Sequence, residues 1–137
     1  MTQLPTDRDI IRCIYEMYES AYPGAASGQV RGENDPYLPV DLNAVAHRLN
    51  CKPEILFGRL YYHLDAKHRY KQDNGASVHL FHLNIQGKGN TVHFPYLASI
   101  LASHDQEYRK QFWSIAFSVL AIVLSVAALV VNILTKG

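Results

Sequence analysis

The sequence predicts an α+β fold, a small head of three helices and a β-hairpin followed by one long C-terminal helix. Three observations carry this expectation. Apolar residues recur at three- and four-residue spacing in three segments before residue 71; two β-rich runs flank the loop QGKGN; and residues 112–134 hold no Asp, Glu, Lys, Arg or His. The first pattern is that of helices with one buried face, the second that of an antiparallel strand pair, and the third that of a helix apolar on every side.

The spacing of Ile10, Ile11, Ile14, Met17 and Tyr18 predicts a helix over Asp7 to Tyr18, with Thr6 or Asp7 as its cap. Residues 20–37, SAYPGAASGQVRGENDPY, are rich in Gly, Ala and Ser and mark a long flexible loop. YLPV at Tyr37 to Val40 is short and extended. Asp41 then caps a second helix, LNAVAHRL, whose Leu42, Val45, Ala46 and Leu49 line one side. Pro53 suits the first turn of a third helix, which Ile55, Leu56, Leu60 and Leu64 carry to about Tyr70. After the breaker KQDNGA, VHLFHLNI (Val78 to Ile85) and TVHFPY (Thr91 to Tyr96) pair as a hairpin around QGKGN. A further helix from Pro95 meets no Gly or Pro before the apolar segment, so one nearly continuous helix is expected to leave the head.

That segment is FWSIAFSVLAIVLSVAALVVNIL, Phe112 to Leu134. Its 23 residues reach about 34 Å as a helix, enough to cross a hydrocarbon core of roughly 30 Å. The remaining residues are too few to wrap a helix that is apolar all round, so a bilayer is the environment that fits it. Arg109 and Lys110 precede the span and only Thr135, Lys136 and Gly137 follow it, which favours a tail-anchored protein with a cytoplasmic head. No apolar N-terminal stretch resembles a signal peptide, and Cys13 and Cys51 lack CxxC spacing, as suits thiols in a reducing compartment. The expected organisation is a head over residues 1–95, a juxtamembrane helix over 96–111 and a single-pass span over 112–134.

The order helix, short strand, helix, helix, hairpin resembles the winged-helix family, with Asp41 to Tyr70 as the helix-turn-helix and Gln86 to Asn90 as the wing tip. The resemblance rests on element order and implies nucleic-acid binding as the family's usual activity. Arg48, Lys52, Arg59, Arg69 and the wing's Lys88 would then face phosphates, with Tyr62 beside them. Charge argues otherwise: residues 1–95 hold ten Lys and Arg against ten Asp and Glu, whereas a dedicated DNA binder is usually basic. Glu54, in the first turn of the would-be recognition helix, would repel phosphate. Tyrosines beside arginines suit a protein partner equally well.

Within the span, Ser114, Ser118, Ala121, Ser125, Ala128 and Asn132 alternate steps of four and three residues. At 3.6 residues per turn they fall within an arc of about 80°, a stripe along which copies of the helix can approach closely. A homo-oligomer is expected on that account; a pore lined by the same residues is the weaker alternative. Among seven histidines, His79, His82 and His93 lie on the proposed hairpin, but alternation along a regular strand sends His79 and His82 to opposite faces. No metal, cofactor or catalytic constellation is therefore expected, GxSxG and HExxH both being absent from the sequence. The sequence thus favours a non-enzymatic membrane-anchored binding or sensor module. A membrane-tethered transcription regulator, or a membrane-perturbing effector of a bacterial stress or defence system, is the alternative.

Overall fold

The computed structural model describes residues 3–22, 36–83 and 89–137, and it is α+β with a small sheet, several helices and a long C-terminal helix. The first helix, α1 (Asp7–Tyr18), starts where the chain can satisfy its own free amides. Asp9 donates its backbone N–H to the Thr6 hydroxyl at 3.2 Å, and the Asp9 carboxylate accepts the Thr6 N–H at 2.9 Å. The Thr6 hydrogen bonds also hold the Asp9 carboxyl below its ordinary value. This reciprocal cap fixes the phase in which Ile10, Ile11, Cys13 and Ile14 face inward.

The sheet and the middle helices interlock with α1. Strand β1 (Tyr37–Pro39) leads into α2 (Leu42–Arg48), where the Asp41 carboxylate accepts the N–H groups of Asn43 and Ala44 at 2.9 and 3.3 Å. Asp41 in turn donates its own N–H to the Tyr18 hydroxyl at 2.7 Å, tying the end of α1 to the start of α2. Asn50, at φ 53°, takes the left-handed turn that Asn tolerates better than most residues. Pro53 then opens α3 (Pro53–Gly58) at a position that needs no N–H. The helix runs on through a wide π turn (Arg59–Asp65) and ends as α4 (Ala66–His68).

A small hairpin, β2 (Tyr70–Lys71) with β3 (Ser77–Val78), occupies the KQDNGA breaker, which turns through Gly75 at φ 83°. Two residues per strand are too few to leave a periodic signal in the sequence. Strands β4 (Phe81–Leu83) and β5 (Asn90–His93) form the expected antiparallel pair, and β1 adds to the other side of β5, giving the order β1-β5-β4. Leu38 and Phe81 both lie opposite Val92, and all three are buried. Around them pack Ile10, Ile14, Val45, Leu56, Leu60, Leu64, Leu80 and Leu97 as one core. Most of loop 20–37 and the tip of the β4–β5 connection, Lys88 included, lie outside the described residues.

The expected strand Thr91 to Tyr96 stops at His93, because Phe94 and Pro95 already belong to the last helix, α5 (Phe94–Lys136). Proline has no N–H to donate, and the first helical turn is where none is required. The chain divides into two compact units, Met1–Leu101 and Ala102–Gly137. In the first, Phe94, Leu97, Ile100 and Leu101 are buried in the head's own core. In the second, every large apolar side chain from Phe112 to Leu134 is exposed, and the apolar window is 0% buried. Among the described residues this is the one helix long and apolar enough to cross a membrane.

Candidate functional site

Asp65 is the only acidic residue buried among those described, at 3% exposure. It follows Leu64 directly. Both residues lie in the π turn, and both face inward. One carboxylate oxygen of Asp65 accepts the backbone N–H of Leu80 at 3.0 Å and of Phe81 at 3.3 Å; the other lies 3.1 Å from Nδ1 of His79. A carboxylate so placed can only accept, so Nδ1 of His79 carries the proton and Nε2 keeps its lone pair in the neutral ring.

His82 is set in the same tautomer by a different group, since its Nδ1 lies 2.8 Å from the Leu83 carbonyl oxygen. The two imidazoles meet edge to face with centroids 5.3 Å apart. The expectation that they diverge is therefore overturned. Strand alternation does not apply, because β3 ends at Val78 and β4 begins at Phe81, leaving His79 and the buried Leu80 in an irregular step between them. His93 lies apart from this pair. Its Nδ1 accepts the Tyr96 N–H at 3.1 Å, capping α5, and burial pushes its pKa below 6.5.

Beside the histidine pair is a cleft of about 310 Å³, lined by Tyr61, Tyr62, Asp65, Arg69, His79 and His82 with the edge of Phe81. Two of the residues singled out in the sequence, Tyr62 and Arg69, thus come together here. Tyr62 is 74% exposed and sits edge to face with Tyr61, which stacks on Phe57 at 5.5 Å. Arg69 is exposed, and its side chain meets no carboxylate among the described residues.

The other predicted contact residues are elsewhere. Arg48 pairs with Glu16 at 3.2 Å, and Arg59 pairs with Asp7, to which His63 and Lys67 also come within 2.9 and 3.9 Å. These pairs fasten α2, the π turn and α4 to α1. Lys52 lines a separate cleft of about 780 Å³ with Leu4, Cys51 and Ile55. Burial pushes the thiols of Cys13 and Cys51 up, which lowers their reactivity. Among the described residues no three His, Cys, Asp or Glu side chains are placed to hold a metal ion.

On α5, Ser114, Ser118, Ala121, Ser125, Ala128 and Asn132 are all exposed. The Ser118 hydroxyl donates to the Ser114 carbonyl at 2.9 Å and the Ser125 hydroxyl to the Ala121 carbonyl at 2.8 Å. With their protons used inside the helix, these serines offer small volume and acceptor lone pairs to a neighbour rather than donors. Asn132 makes no side-chain hydrogen bond among the described residues, so its amide keeps both capacities.

Of the cleft residues, Asp65 is the one for which the sequence carried no expectation. The one available signal was an acid set directly against the Leu56, Leu60, Leu64 stripe. Compared with known proteins, the chain matches no family model, no curated protein and no solved structure.

Proposed function

We propose that this protein is a non-enzymatic, membrane-anchored binding or sensor module: a winged-helix-like head on the cytoplasmic side, held by a single span that self-associates. The observation that carries this proposal is α5, a helix of 43 residues whose first turns are buried in the head while the large side chains of its apolar part are exposed among the described residues. A protein in water would have to expose those side chains, each worth about 1.5–3 kcal/mol when removed from water, and lipid removes that cost. The winged-helix comparison is supported by the element order and by β1 joining the sheet at the closing strand of the hairpin.

Binding of duplex DNA ranks below binding of another ligand. Arg48 and Arg59, two of the cations that would face phosphates, are taken up by Glu16 and Asp7 of the same chain. The exposed aromatic and cationic cleft at Tyr62 and Arg69 offers the head a surface for such a partner. Membrane attachment is tested by expressing the intact chain and washing membranes with alkaline carbonate. The protein is expected to stay in the pellet and to leave it only with detergent; folded, unaggregated chain in the detergent-free supernatant would refute the anchor.

A further inference from the structure

We propose that the cleft between the π turn and the His79–Leu83 segment binds a mononucleotide-class ligand, a planar ring carrying a phosphate monoester, with Tyr62 against the ring and Arg69 on the phosphate. The inference rests on the head being a binding module and names what it binds.

Charge decides the sign of the ligand. The titratable groups facing the cleft are Tyr61, Tyr62, Asp65, Arg69, His79 and His82. Asp65 is the sole acid, and both its oxygens already accept from Leu80, Phe81 and His79, so neither is left to pair directly with Arg69. A guanidinium with no hydrogen-bonded carboxylate at a partly enclosed surface favours an anion over a cation, and its planar fork matches the oxygens of a phosphate.

Shape and tautomer decide the rest. The 310 Å³ of the cleft lies at the low end of the range for small-molecule sites. Its apolar lining is mostly aromatic, and Tyr62 is held at its edge by Tyr61 while remaining open to stack on a flat ring. In the neutral rings, Nε2 of His79 and of His82 is the acceptor, because each Nδ1 proton is committed to Asp65 or to the Leu83 carbonyl. Two imidazole acceptors suit ribose hydroxyls or ring amino groups, which inorganic phosphate lacks. The π turn that buries Asp65, and through it orients His79, is a departure from regular helix of the kind found repeatedly at functional sites.

The full chain in detergent micelles is titrated by calorimetry with AMP, GMP, CMP and UMP, with adenosine, guanosine and inorganic phosphate as partial ligands, and with an unphosphorylated five-residue DNA strand. At least one mononucleotide is expected to bind with Kd below about 100 μM, and its nucleoside and inorganic phosphate about tenfold or more weakly each, since each keeps only part of the contacts. Arg69→Gln should weaken the mononucleotide about tenfold or more, by loss of a charged hydrogen bond, and Tyr62→Ser about fivefold or more, by loss of stacking. Both side chains are exposed, so both variants should keep the parent's Tm.

The proposal is overturned by no mononucleotide binding at 1 mM (roughly the weakest affinity that counts as a site). It is equally overturned by unchanged affinity in both variants, or by tighter binding of the unphosphorylated strand than of any mononucleotide. Carbonate extraction of the same preparation is read separately. Its failure with binding intact would remove the anchor alone, and intact anchoring without binding would remove the ligand alone.

Discussion

Asp65 is a carboxylate with almost no access to water and three donors around it. Such a group is stable only as a set: truncating it leaves the Leu80 and Phe81 amides without an acceptor and His79 without its orienting partner. Asp65→Ala should therefore destabilise the head by about 3 kcal/mol, measured by chemical denaturation of the detergent-solubilised chain, while Asp65→Asn, which keeps one acceptor oxygen, should cost less. His93 is perturbed in the opposite sense. Its ring is partly buried and caps α5 through an unprotonated Nδ1, so burial holds its pKa under 6.5 and the unfolded chain binds a proton more readily than the folded one. Stability should fall as pH drops through 6.5 toward the lowered folded value, and no further loss from this residue is expected beneath it. His93→Gln keeps an acceptor for the Tyr96 amide but cannot titrate, so Tm followed from about pH 7.5 to about pH 5 should be flatter than in the parent.

The helices α1 and α2 were legible from single residues, because their caps are local: Thr6 with Asp9, and Asp41 with the two amides that follow it, act within four residues of chain. The π turn was not legible, since Leu56, Leu60 and Leu64 read the same on a regular helix. In the same way the convergence of His79 and His82 depends on a break between β3 and β4 that no local residue announces. On α5 the small-residue stripe predicts packing between copies. Cross-linking of the parent in detergent should give oligomers. Ser118→Leu combined with Ser125→Leu should shift them to monomer, because two branched side chains hold the helices apart; an unchanged pattern would assign association to another face.

At the level of the whole molecule, the chain is a head with one contiguous core and a helix whose apolar part is exposed among the described residues. Charge placed in the middle of the span should be felt only there: Leu120→Arg with Leu124→Arg costs about 2.5–3.5 kcal/mol per residue at a bilayer centre, enough to drive the chain out of the carbonate-resistant pellet. The same exchange should leave the head's core intact, because neither leucine belongs to it.

The sequence by itself determined the helical phases, the caps, the hairpin partners and the long apolar C-terminal helix, because each depends on neighbours a few residues apart or on bulk apolarity. The tertiary structure alone decided which cations are spent inside the chain and which remain open. Arg48 and Arg59 meet carboxylates 32 and 52 positions away, while Tyr62 and Arg69 meet two histidines across a cleft. Electrostatic partners separated that far along the chain are chosen by packing, and periodicity carries no record of them.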